Sequence, residues 1–176
     1  MKRGVLITAV LGAALLLVTF TVPAQAQKLH TDLKGFAEVP ANSTVARGEF
    51  KAEIINDTTI AYELTYSGLE DTNRQAHIHF GQRFVAAGIS LFLCQTTSFP
   101  DATGLAPTCP QTAQGATTVK GNLTRFNLVG PSAQGIAGGA TGGTAAEFAE
   151  IVNAIRSGLT YVNVHTNKFP GGEIRG

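Results

Sequence analysis

The residues best suited to chemistry are histidines, of which the chain has four. His77 and His79 stand two apart in Gln75-Ala76-His77-Ile78-His79-Phe80. On a β-strand their imidazoles leave one face while Ala76, Ile78 and Phe80 take the other. The same alternation in Tyr161-Val162-Asn163-Val164-His165 puts Tyr161, Asn163 and His165 on one face and both valines on the other. If the two strands lie near one another, three imidazoles converge outside an apolar core. Neutral imidazole is a good ligand for copper and zinc, and His-x-His on a strand is a compact chelate. His77, His79 and His165 are therefore the candidate metal ligands, copper or zinc is the cofactor implied, and His30 is an optional fourth ligand. The competing expectation is structural, with imidazoles tied to loop carbonyls or to a carboxylate such as Asp32, Glu38, Glu63 or Glu173.

Other chemistries find little support. The chain has no G-x-S-x-G elbow and no H-E-x-x-H. Gly138-Gly139-Ala140-Thr141-Gly142-Gly143 precedes a helical pattern but lacks the G-K-[ST] ending of a phosphate loop. No catalytic residue can be named, so an enzyme is the weaker expectation. Glu173 and Arg175 share a face of the last strand, where an ion pair or a turn clamp is expected.

These residues must be held by elements, and the elements are short and β-like. Glu49 to Ile54 and Thr59 to Tyr66 alternate polar and apolar around Asn56-Asp57-Thr58, a hairpin signal. With the two His-bearing runs, Ile89 to Cys94 and the stretch around Gly121 to Thr124, they make seven or eight short strands. That is the profile of an antiparallel sandwich or barrel. One segment breaks it: Ala145 to Arg156 places Phe148, Ile151, Val152 and Ile155 on one helical face. Thr144 and Glu147 form a capping box before it and Gly158 ends it. The Gly- and Ala-rich run from Ser132 to Gly143 reads as a mobile loop.

Composition bounds the class. Only 14% of the 176 residues are charged, against about 25% in an ordinary soluble domain. A formal charge of +1 is far from the basic excess that a nucleic-acid binder shows. An apolar fraction of 44% excludes disorder. Lys2 and Arg3, the apolar run Val5 to Val22 and Ala24-Gln25-Ala26 make residues 1–26 a cleavable secretory signal peptide. Its removal takes Lys2 and Arg3 but none of the 12 acidic residues, turning +1 into −1. The expectation is one domain over residues 27–176, secreted or periplasmic, with no membrane span after cleavage. In an oxidising compartment Cys94 and Cys109 are expected to form a disulfide.

As an ordered set, five stretches resemble the chordin-type CHRD domain over about residues 29 to 176. They are Leu33-Lys34-Gly35-Phe36-Ala37-Glu38-Val39-Pro40, Leu64-Thr65-Tyr66-Ser67-Gly68-Leu69 with Ala76-His77-Ile78-His79, Tyr161 to Thr166, and Phe169-Pro170-Gly171-Gly172-Glu173-Ile174-Arg175-Gly176. The resemblance implies an extracytoplasmic, immunoglobulin-like or Greek-key β-sandwich, here all-β with one short helix near the C-terminus. Two departures stand out: Phe80-Gly81-Gln82-Arg83 follows the His-x-His where Gly and Pro are frequent, and the Cys94–Cys109 insertion is not general. Ala76 to Gly81 is also similar to the copper-ligand strand of Cu/Zn superoxide dismutase, with only His77 and His79 matching and His165 a third ligand. Two functions follow as expectations. The first is an exported, non-catalytic binding module for a protein or small ligand. The alternative is a mononuclear copper or zinc binding or redox protein built on His77, His79 and His165.

Overall fold

The computed structural model describes residues 26–111 and 115–176. The leader expected over residues 1–26 lies outside them apart from Ala26. Among the described residues the strands are β1 (Gln27–Lys34), β2 (Arg47–Asn56), β3 (Thr59–Ser67), β4 (Asn73–Phe80), β5 (Gly88–Cys94), β6 (Thr117–Leu123), β7 (Thr160–Thr166) and β8 (Ile174–Arg175). One α-helix, α1 (Ala145–Arg156), precedes β7. No described helix is long and apolar enough to cross a membrane.

The fold is all-β, as expected, and its two layers belong to one continuous antiparallel sheet ordered β5-β4-β7-β8-β1-β2-β3-β6. The halves meet at a single pairing of β1 with β8, Lys34 opposite Arg175. The far ends approach each other where the chain leaves β6. There Leu128 bridges to Leu91, and the Val129 N–H donates to the Ser90 carbonyl at 2.9 Å. The sheet therefore curls nearly into a barrel around one core. Ile60, Tyr62, Leu64 and Tyr66 of β3 bury every second side chain, and Ala76, Ile78, Val162, Val164 and Ile174 do the same from the opposite half. Alternation with period two is what lets such short strands bury one full face.

Helix α1 adds Phe148, Ile151 and Val152 to that core. Its capping box is formed: Thr144 Oγ1 accepts from the Glu147 N–H at 3.2 Å, and the Glu147 carboxylate accepts from the Thr144 N–H at 2.7 Å. The other Glu147 oxygen accepts from Ala137 N–H at 2.6 Å. That bond, the buried Ile136 and the tight approach of Gly138 to the Val129–Gly130 backbone tie down the segment 132–143, which composition suggested was mobile. Gly138 sits at φ 51°, with backbone where a Cβ would go.

The Cys94–Cys109 disulfide is present, with Cα atoms 4.8 Å apart. Inside its loop the Asp101 carboxylate accepts from the Thr103 hydroxyl and from the N–H groups of Thr103, Leu105 and Ala106. A Pro- and Thr-rich segment is thereby ordered by one buried carboxylate.

Candidate metal centre

Strands β4 and β7 pair in the register that sets His77 opposite Asn163 and His79 opposite Tyr161. Their core faces are apolar. Their other faces, which alternation alone would leave to solvent, are also buried: His77 is 0% exposed, His79 and His165 6% each, and Asn163 2%. The cover comes from the segments after β4 and after β7. The first places the Ala87 carbonyl 2.8 Å from His79 Nδ1, and the second places the Pro170 carbonyl 3.0 Å from His165 Nδ1. Phe92 of β5 meets the His77 ring edge-on, with centroids 4.4 Å apart.

The three imidazoles do converge. One ligand nitrogen from each lies within 4.8 Å of the others. His77 Nδ1 and His165 Nε2 are 3.2 Å apart. Metal–nitrogen bonds of about 2.0–2.1 Å at angles of 90–110° separate neighbouring ligand atoms by about 2.9–3.4 Å, so the tightest pair already stands at the edge length of a coordination polyhedron. Among the described residues no carboxylate pairs with any of the three. His30, in contrast, stands apart on β1, half exposed and 3.0 Å from Glu49 and 3.7 Å from Asp32.

Counting protons sharpens the picture. A carbonyl only accepts, so His79 and His165 must each carry their proton on Nδ1. Their Nε2 atoms are then acceptors, and that of His165 can take an N–H from His77 Nδ1 at 3.2 Å. His79 Nε2 has no partner, and neither does His77 Nε2. His165 Nε2 faces His77 Nδ1 and, at 2.8 Å, the Asn163 carboxamide oxygen. Backbone carbonyls on the far ring nitrogens are the arrangement that fixes the tautomer and orientation of metal-binding histidines.

Burial keeps all three rings neutral. It pushes His77 well below the ordinary imidazole range, with the neighbouring His165 and His79 adding to the effect. It lowers His79 against the opposing pull of the Ala87 carbonyl and Asn163. His165 is brought down to about 4, again by burial, with the Pro170 carbonyl opposing. Neutral rings are the form that binds metal.

Around the cluster lie further buried polar residues. Arg175 is 2% exposed, its guanidinium carbon 3.3 Å from the Tyr161 ring centroid. Tyr161 in turn stacks on His79, rings 4.7 Å apart and 4° from parallel. Arg175 donates to the carbonyls of Arg83 and Val85 at 2.8 and 2.7 Å, and so straps the covering segment to the sheet. Glu38 is buried nearby, and burial lifts its carboxyl to about 7 against the pull of Arg175 and Asn163. It packs on Gly172, whose φ of 129° and lack of a Cβ leave room for the carboxyl. Glu173 forms no ion pair with Arg175. It is the turn clamp, accepting from the Thr44 hydroxyl at 2.7 Å and the Glu70 N–H at 2.9 Å. The alternation of Glu173 and Arg175 hinted at this, and Glu38 is one of the four carboxylates offered as an imidazole partner.

A concavity of about 450 Å³ lies elsewhere, on the outer face of β1–β2–β3 among Lys28, Lys51, Glu53 and Glu63. It is an open trough between solvated side chains with no convergent buried polar groups.

Comparison with known proteins gives one match: a family model described as CHRD domain covers residues 29–176. No curated protein and no solved structure matches the chain.

Proposed function

The chain belongs to the CHRD-domain family, and we propose that within it this protein is an exported, mononuclear metal-binding protein that holds copper or zinc through His77, His79 and His165. The observation that carries this reading is the convergence of three neutral imidazoles: His79 and His165 turn Nε2 inward with carbonyls behind them, His77 Nδ1 lies 3.2 Å from His165 Nε2, and among the described residues no carboxylate pairs with any of them. Three neutral nitrogen donors suit copper and zinc, and among divalent ions the general affinity order places copper above zinc. Of the dismutase copper strand only His77 and His79 match. With His30 on a separate strand beside Glu49 and Asp32, no imidazole remains to bridge a second metal. The reading therefore holds one ion and assigns no catalytic residue. Export rests on the basic start, apolar run and Ala24-Gln25-Ala26, and the Cys94–Cys109 disulfide accords with an oxidising compartment.

Equilibrium dialysis of the purified protein against Cu(II) and Zn(II) tests the proposal, with His77→Ala/His79→Ala as the control. One equivalent bound by the wild type and none by the double variant is expected. Equal uptake by both would remove the metal site and return the protein to a non-catalytic binding module.

A further inference from the structure

The three histidines account for three ligands, and a fourth polar atom points at the same place. Asn163 sits at the centre of the buried face, opposite His77 on β4 and opposite Arg175 on β8. Its Oδ1 is 2.8 Å from His165 Nε2. A hydrogen bond between those atoms needs a proton that neither has. His165 has spent its one N–H on the Pro170 carbonyl, 3.0 Å away, and a carboxamide oxygen has none to give. The carboxamide also faces His79. Its amide end faces Glu38. An oxygen and an acceptor nitrogen this close gain nothing from each other directly, and a cation between them would satisfy both.

We propose that Asn163 is a fourth ligand of this centre, donating Oδ1 to the ion that His77, His79 and His165 bind. The inference rests on the metal-binding reading above. The separation of 2.8 Å lies within about a tenth of an ångström of the edge expected for two ligand atoms near 90° at one ion. Arg175 flanks Asn163 from β8. The set becomes three neutral nitrogens and one neutral oxygen. It leaves the charge of the ion uncompensated by any ligand.

Three proteins decide the matter: wild type, Asn163→Asp and Asn163→Leu, each titrated with Zn(II) and with Co(II), with the Co(II) visible spectrum recorded. Asp keeps the oxygen and adds a charge, whereas Leu keeps the volume and removes the oxygen. Direct ligation predicts tightest binding by Asn163→Asp, then wild type, then Asn163→Leu. The Leu variant should be weaker by a factor on the order of ten or more, with an altered Co(II) spectrum. Thermal melts of the ion-free proteins check that each variant folds. If wild type binds and Asn163→Leu keeps its affinity and spectrum, or Asn163→Asp binds no more tightly than wild type, Asn163 is not a ligand while the histidine site stands. If wild type itself binds neither ion, the histidine reading fails and this inference with it.

Discussion

Single protons control the energetics of the buried face. An unfolded histidine takes up a proton near pH 6.5, whereas His165 in the fold resists until about 4. Between those values the unfolded chain binds more protons than the folded one, so stability falls as pH falls. His165 alone contributes a loss of about 3 kcal/mol across the window, and His77 and His79 act in the same direction. Glu38 acts oppositely. Its raised carboxyl favours the fold below about pH 4.5, and that contribution is lost as pH rises through about 7. Denaturant titrations from pH 8 to 4.5 should therefore show falling stability on acidification. Glu38→Gln should steepen the fall and leave the protein at least as stable as wild type at pH 8. A flat profile for wild type, or an unchanged slope in the variant, would contradict this assignment of protons.

At the level of elements, the cover over the histidines matters as much as the strands beneath. Residues 82–87 make no strand. They are held by the donors of Arg175, by the Ala87 carbonyl on His79 and by the Ala87 N–H given to the Tyr161 hydroxyl at 3.0 Å. Replacing Arg175 with Met should loosen this segment while leaving β1–β3 intact. Amide exchange across 82–87 should speed up by more than an order of magnitude, because local opening follows the loss of its few buried ties. No change there would mean that the strap is idle. This division also explains what the sequence could reveal. The alternation in β4 and β7 and the capping box of α1 are local patterns, so the three-histidine face and the helix were readable from residue spacing. The burial of that face was not, because irregular segments closing over a sheet leave no periodic trace. Asn163 was placed on the right face by alternation, but its role depends on the Pro170 carbonyl behind His165, a contact that spacing does not encode. Glu38 is one of four carboxylates the sequence offers as an imidazole partner, but it reaches the site from beyond the end of β1, and no spacing singles it out from the other three.

For the molecule as a whole, one curled sheet carries an apolar core on its inside and a polar, water-excluded chamber beneath its covering segments. The disulfide acts on global stability. Closing a loop of about 15 residues is worth roughly 3 kcal/mol in the chain-entropy model, and a domain of this size shifts by about 2–4 °C per kcal/mol. The Cys94→Ser/Cys109→Ser pair should therefore melt about 6–12 °C lower, part of the loop order surviving through Asp101. An unchanged melting temperature would show that the loop is held by its hydrogen bonds alone. Beyond its protons, the histidine cluster acts on stability through what it binds: an ion present at a hundred times its dissociation constant adds about 2.7 kcal/mol. The central claim is that this chamber holds one ion through imidazole nitrogens, and electron paramagnetic resonance of the protein loaded with one equivalent of Cu(II) tests it most directly. The account predicts nitrogen hyperfine structure from His77, His79 and His165 that disappears in His77→Ala/His79→Ala. A spectrum that is the same in wild type and variant would place the copper elsewhere and contradict it.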